Sequence, residues 1–423
     1  MSEAISIENP KVPASEVFAK EGYKKTKLGW IPEEWSVKSL GEIGVFSKGK
    51  GISKSEITET GLPCVRYAEI YTKYNNYVYC FNSFINRNSA QNSKTIESGD
   101  ILFAGSGETL EDIGKCIPYL GKETVYAGGD IIVLKPKTEN SKYLSFALNH
   151  SIANKQKHKL GQGHSVVHIY SSSLKNLKII LPPLPEQQKI AAILSTWDNA
   201  IGKQEQLIAV KQHFKKGLIQ LLLTGKKRFD GFSGEWIESK LGNYCNVLMC
   251  KRIFNSETSE IGEIPFYKIG TVGKKPDAFI SRKLFQEYKE KYNYPRLHEI
   301  LITCSGTVGK CIPYNGEDAY FQDSNIVWID NPKNEIDNKF LYYLISTFDW
   351  DKLNSTTITR IYTNDLKSMR ISFPSFKEQQ KIASVLSNAD KEISILQNQL
   401  TQLQTQKRGL MQQLLTGKVR VKI

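Results

Sequence analysis

Near the end of the chain, Ile382, Leu386, Ala389, Ile393, Leu396, Leu400, Leu403, Lys407, Leu410 and Leu414 follow one another in alternating steps of four and three. That spacing keeps one stripe on a single face of an α-helix, as in the a/d seam of a coiled coil. Upstream, Ile190, Leu194, Trp197, Ile201, Gln204, Ile208, Lys211, Lys215, Leu218 and Leu222 repeat the spacing, with three polar residues interrupting the seam. Leu207, Phe214 and Leu221, spaced by sevens, form a second stripe that widens the apolar face of this helix. Both helices follow prolines (Pro182, Pro183 and Pro185; Pro374) and stop near Gly225 and Gly417, residues suited to a C-terminal cap. At 1.5 Å per residue each helix is about 60 Å long. Each seam needs a cover, and the other helix is the nearest candidate, in either the parallel or the antiparallel sense. Two unrelated helices, each packed on its own domain, are the alternative.

The intervening segments read differently. Short β-rich runs such as Ile101-Leu102-Phe103 and Ile131-Ile132-Val133-Leu134, punctuated by Gly, Asn and Pro, predict mixed domains with several strands and long loops. The expected fold class is α+β: an N-terminal extension over 1–27, mixed α/β domains over 28–182 and 232–373, long helices over 183–226 and 374–418, and a short tail over 419–423. Asp100-Ile101-Leu102-Phe103 before Gly105-Ser106-Gly107, and Glu299-Ile300-Leu301-Ile302 before Ser305-Gly306, each predict a strand entering a tight turn.

The chain repeats itself. Glu186-Gln187-Gln188-Lys189-Ile190-Ala191 recurs as Glu378-Gln379-Gln380-Lys381-Ile382-Ala383 at an offset of 192, as does Leu222-Leu223-Thr224-Gly225-Lys226 at 414–418. Gly114-Lys115-Cys116-Ile117-Pro118-Tyr119 recurs as Gly309–Tyr314 at offset 195, and Glu34-Trp35 as Glu235-Trp236 at offset 201. Drifting offsets mark insertions and deletions in the domains, while the helices keep strict register.

With 423 residues the chain exceeds one ordinary core, and 40% hydrophobic with 10% aromatic content excludes global disorder. The formal net charge of +14 fits a polyanionic partner. No apolar run is long enough to span a bilayer and the start lacks a signal-peptide pattern, so a cytoplasmic location is expected. Seven cysteines without a CxxC pair read as buried or idle thiols. Thr109 and Cys304 stand where a phosphate-binding loop before Gly114-Lys115 or Gly309-Lys310 would need glycine. Leu110 likewise breaks a dinucleotide pattern after Gly105-Ser106-Gly107. His164 and His168, four apart, have Thr356 and Arg360 at the repeat positions, so a metal site and catalysis by this chain alone are not expected.

The proline-led Glu-Gln-Gln-Lys-Ile-Ala helix ending in Leu-Leu-Thr-Gly-Lys, doubled behind two variable domains, resembles the DNA-specificity subunit of type I restriction-modification systems. Gly29-Trp30-Ile31-Pro32-Glu33-Glu34-Trp35 and Gly417-Lys418-Val419-Arg420-Val421 add to the likeness, which covers about residues 28 to 420. The resemblance implies two target recognition domains, each reading one half of an asymmetric bipartite site in double-stranded DNA. It also implies helices paired as an antiparallel coiled coil that sets the spacing and, through an approximate two-fold relation between the repeats, docks two methyltransferase subunits. Motor-nuclease restriction subunits complete the partners. S-adenosylmethionine, ATP and Mg²⁺ are expected on those partners and no cofactor on this chain. Basic or glycine-punctuated loops that align between the repeats nominate Lys48, Lys50, Arg66, Tyr67, Lys73, Ser106, Lys115 and His164 in the first domain as DNA contacts. In the second domain they nominate Lys251, Arg252, Lys268, Lys274, Lys275, Ser305, Lys310 and Arg360. Two alternatives remain at this level: a fused endonuclease or methyltransferase with an unfamiliar site, and a scaffold that binds DNA nonspecifically or grips protein.

Overall fold

The computed structural model describes residues 21–74, 76–78, 80–163, 166–350 and 360–423. They fall into two compact units, one combining the chain up to Gln204 with Gln399–Ile423, the other running from Glu205 to Asn398.

In the first unit a four-stranded antiparallel sheet has the order Cys116–Pro118, Ile101–Ala104, Ile131–Pro136, Gly44–Lys48. A mixed five-stranded sheet pairs Leu62–Val65 parallel to Val125–Ala127. Ile101 to Ala104 are all buried, so both faces of this strand are covered and the sequence runs apolar without alternating. The second unit repeats the plan. Its four-stranded sheet runs Asn246–Leu248, Ile326–Asp330, Ile300–Thr303, Cys311–Pro313, and Ile264–Tyr267 lies parallel to Tyr320–Phe321. In both units the last strand, Lys178–Leu181 or Arg370–Phe373, pairs with a strand near the start of the domain, Ser36–Ser39 or Ile237–Lys240, and then feeds a long helix.

The central helix spans Leu184–Leu222 and the distal helix Phe376–Leu414. Every position of both predicted seams is buried or half-buried. The helices are antiparallel. In the first unit Asp198 meets Lys407 and the Gln204 Nε2 donates to Gln399 Oε1 at 3.2 Å. In the second, Lys211 meets Glu392 at 2.6 Å and Lys215 meets Asp390 at 2.5 Å. Numbers rise on one helix as they fall on the other. The polar residues that interrupt the central seam therefore have partners, and the repeat arithmetic explains them: Asp198 and Asp390, like Lys215 and Lys407, are 192 apart, so one antiparallel contact occurs twice. Lys407 also lies 5.3 Å from the Phe146 ring centroid, and Lys215 5.6 Å from that of Tyr343, whose hydroxyl donates to Asp390. The second stripe on the central helix does not join this seam. Leu207, Phe214 and Leu221 are exposed.

The Glu-Gln pair opening each helix closes each unit. Glu186 is wholly buried, accepts from the Trp35 indole at 2.9 Å, and takes Arg420 in a two-point ion pair at 2.7 and 2.9 Å. Glu378 takes Arg228 in the same way at 2.9 and 2.6 Å. Gln187 and Gln379 each accept a backbone N–H from their domain, of Asn140 and Asp337, while donating to Pro182 and Pro374 carbonyls. Gly417, at φ +71°, lies against Trp35 and Pro32, and a Cβ there would sit 2.4 Å from Pro32 Cδ. Tyr23 donates to the Gly417 carbonyl from the strand Tyr23–Thr26, so part of the predicted extension and, through Arg420, the predicted tail both belong to the first unit.

Two outcomes follow. Lys407→Met strands the Asp198 carboxylate and is expected to cost about 3 kcal/mol, whereas D198K/K407D recovers more than half of it, read by urea unfolding or by hydrogen exchange over residues 190–204. His150, buried at the N-cap of the helix Ser151–Leu160, bonds Gln412 Oε1 through Nε2 at 2.8 Å, and burial holds its pKa below the ordinary histidine value. The unfolded chain then takes up the proton first. This contribution is complete above about pH 6.5 and is lost as pH falls through the folded pKa. Urea midpoints at about pH 7.5 and 5.5 should differ less in His150→Asn, which keeps an N-cap acceptor.

Candidate nucleic-acid interface

The strand ends of each unit converge on one edge, tied by backbone hydrogen bonds. In the first unit Gly49 N–H donates to Ile131 O, Lys50 to Ala127 O, Gly128 to Val65 O, Gly105 to Asp130 O and Ile169 to Gly105 O, all between 2.7 and 3.0 Å. Gly49 is required there, since a Cβ would lie 1.9 Å from the Gly128 carbonyl oxygen. In the second unit Gln322 N–H donates to Tyr267 O, Cys304 to Asn325 O and Ile361 to Cys304 O. These bonds tie the loops to one another through their backbone.

Onto this edge fall most of the residues nominated from the sequence. Lys48, Lys50 and Lys73 are exposed and carry no ion pair among the described residues. Arg66 leans on buried Glu69 at 3.6 Å, and Tyr67 beside it is exposed. Ser106 is buried, with its hydroxyl 2.9 Å from His168 Nδ1. His164 lies outside the described residues. In the second unit Lys251 and Arg252 are exposed, the latter paired to Asp323 at 2.8 Å, and Lys268 is paired to Asp277 at 3.2 Å. Lys274 and Lys275 are exposed, Ser305 donates to Asn325 Oδ1 at 2.8 Å, and Arg360 donates to the Ser324 carbonyl at 3.4 Å.

Lys115 and Lys310 have another duty. Each ammonium reaches under a loop to a carbonyl, Tyr74 at 3.3 Å and Val272 at 2.8 Å. Burial holds Lys115 below the ordinary lysine pKa. These are braces, and the matching Gly-Lys-Cys-Ile-Pro-Tyr segments record the shared brace.

Sequence reasoning passed over Tyr170 and Tyr362. Both are at least half exposed, both follow the loop-tying residues Ile169 and Ile361, and they are 192 apart. That offset was the available signal. Arg360 stacks 5.8 Å from the Tyr362 ring centroid, giving a flat cationic and aromatic surface suited to phosphate, sugar or base edges. Among the described residues no group of three or more His, Cys, Asp or Glu could hold a metal ion, and burial pushes the Cys64, Cys245 and Cys250 thiols up to about 12. No described helix is long and apolar enough to cross a membrane.

A family model for the type I restriction modification DNA specificity domain matches residues 32–212 and 233–405. A Haemophilus influenzae protein assigned as a type I restriction enzyme specificity subunit is 40% identical over 222 residues, 51% of this chain and 56% of that protein, so the chain spans about half the length of this relative. The MjaVIII specificity subunit of Methanocaldococcus jannaschii is 27% identical over 448 residues, covering 96% of this chain and 97% of that one. A crystal structure of the type I restriction-modification S subunit from M. genitalium shares the fold with a TM-score of 0.59, at 17% identity over 90% of this chain and 96% of its own.

The braces predict a split in mutant behaviour. Lys310→Met should destabilise the second unit by about 1 to 2 kcal/mol, while Lys50→Ala, at an exposed position, stays within about 0.5 kcal/mol of wild type in the same unfolding assay.

Proposed function

The chain belongs to the type I restriction modification DNA specificity family, and from that premise we propose that its two loop edges read the two halves of an asymmetric DNA site. The observation that carries this reading is the same edge built twice, with basic, amide and aromatic side chains on loops tied together by backbone hydrogen bonds. Lysines such as Lys48 and Lys50 supply phosphate contacts, and the side chains around Ser106, Tyr170, Ser305, Arg360 and Tyr362 supply base or sugar contacts. The antiparallel helices set the separation of the half-sites and dock two methyltransferase subunits, with restriction subunits joining that assembly. S-adenosylmethionine, ATP and Mg²⁺ act on those partners, and this chain contributes recognition without catalysis.

The test is exchange of residues 28–182 for another domain of the family, followed by sequencing of methylated sites in cells carrying the full system. One half of the target should change and the other stay; a change in both would refute separate reading. In titrations of the methyltransferase complex, affinity should fall with salt with a log-log slope near −5 if about six phosphates are engaged, and Lys50→Ala should reduce that slope by about 1.

A further inference from the structure

On the central helix Leu207, Val210, Phe214 and Leu221 are 40%, 63%, 58% and 42% exposed. With Gly217 they continue the steps of three and four, forming a second heptad seam about a third of a turn from the one the distal helix covers. Among the described residues nothing lies within 4 Å of a Cβ built at Gly217, so no packing among them calls for a glycine that weakens a helix interior by about 1 kcal/mol. An occupant that approaches the backbone there would.

The repeat supplies an internal comparison. At the offset of 192 the same positions on the distal helix are Gln399, Gln402, Gln406, Gly409 and Gln413. The glycine is shared, and every apolar side chain has become glutamine. The two helices thus present repeat-related faces of opposite character.

A stripe in heptad register over four turns matches another α-helix laid nearly along it. Its charge selects the partner. Between residues 199 and 229 Glu205 is the only carboxylate, and helical geometry puts it away from the stripe, whereas Lys203, Lys226 and Lys227 stand at the ends. A second copy of this chain would bring the same cations together. We infer that this stripe docks one acidic, amphipathic α-helix of the methyltransferase subunit, and that the glutamine face takes the same helix more weakly. The inference rests on the functional reading above and adds that the two methyltransferase sites are unequal and fill in order.

The experiment titrates full-length chain with the cognate methyltransferase subunit by calorimetry and native mass spectrometry. Wild type should bind two copies with affinities at least about tenfold apart, since burying little more than one large apolar side chain already yields that difference. L207Q/V210Q/F214Q/L221Q, which copies the distal helix at exposed positions, should lose the tight site and keep two weak ones. Q399L/Q402V/Q406F/Q413L should bring the weak site up to the tight one. Equal wild-type affinities, or no effect of the glutamine variant, overturn the inference alone. Self-association of wild type that the glutamine variant abolishes, or stripe-dependent binding to phosphatidylserine vesicles in place of the methyltransferase, also overturns it. A wild-type chain that takes up no methyltransferase overturns the docking role proposed above together with this inference.

Discussion

Each compact unit needs both repeats. A helix with a narrow apolar seam has no stable existence alone in water, because short of tertiary packing its propensity barely offsets chain entropy. Here the seam is covered by antiparallel pairing, and the consequence is topological: the first unit holds the start of the central helix and the end of the distal one, the second unit the reverse. The buried Glu186 and Arg420 pair, with its counterpart Glu378 and Arg228, then joins the first turn of one repeat's helix to the residues just beyond the other repeat's helix. A buried carboxylate without its guanidinium would be strongly destabilising, so neither repeat completes a unit by itself.

That constraint accounts for what the sequence made legible. Heptad steps, proline entries and glycine exits gave both helices to within a few residues, and the strict offset of 192 marked the segments that must fit a fixed partner. The direction of pairing was less accessible. It is encoded in Asp198 and Lys215 recurring as Asp390 and Lys407, a pattern that becomes informative only when each acid is matched with the base of the other repeat. The mixed sheets were legible as apolar runs but not as topology, since strands of two to six residues with both faces covered carry little periodicity.

The candidate edge was legible in place more than in role. Glycine-punctuated strand ends pointed to it because close backbone approach, as at Gly49 against Gly128, leaves a sequence trace. Composition could not separate a lysine facing outward from one bracing a loop. Lys50 and Lys115 look alike in sequence, and only the carbonyl of Tyr74 distinguishes them.

The division between braced backbone and free side chains bears on how such a chain can change its target. A side chain whose removal leaves a buried acceptor or donor unmet is fixed by folding, whatever DNA it faces. On these edges that set includes Lys115 and Lys310, and at the helix entries Gln187 and Gln379. Lys48, Lys50, Tyr170 and Tyr362 are exposed and their side chains meet no buried polar group among the described residues, so their replacement alters the presented surface at little cost to stability. The second unit departs from this freedom where Arg252 and Lys268 are held by Asp323 and Asp277. Exposed pairs of that kind are weak, and a phosphate competes for the cation while a carboxylate beside it repels. On the proposed reading Arg66, beside Glu69, meets the same competition at the first edge, so attraction to phosphate rests on the lysines that carry no ion pair among the described residues, Lys48, Lys50 and Lys73 at the first edge and Lys274 and Lys275 at the second.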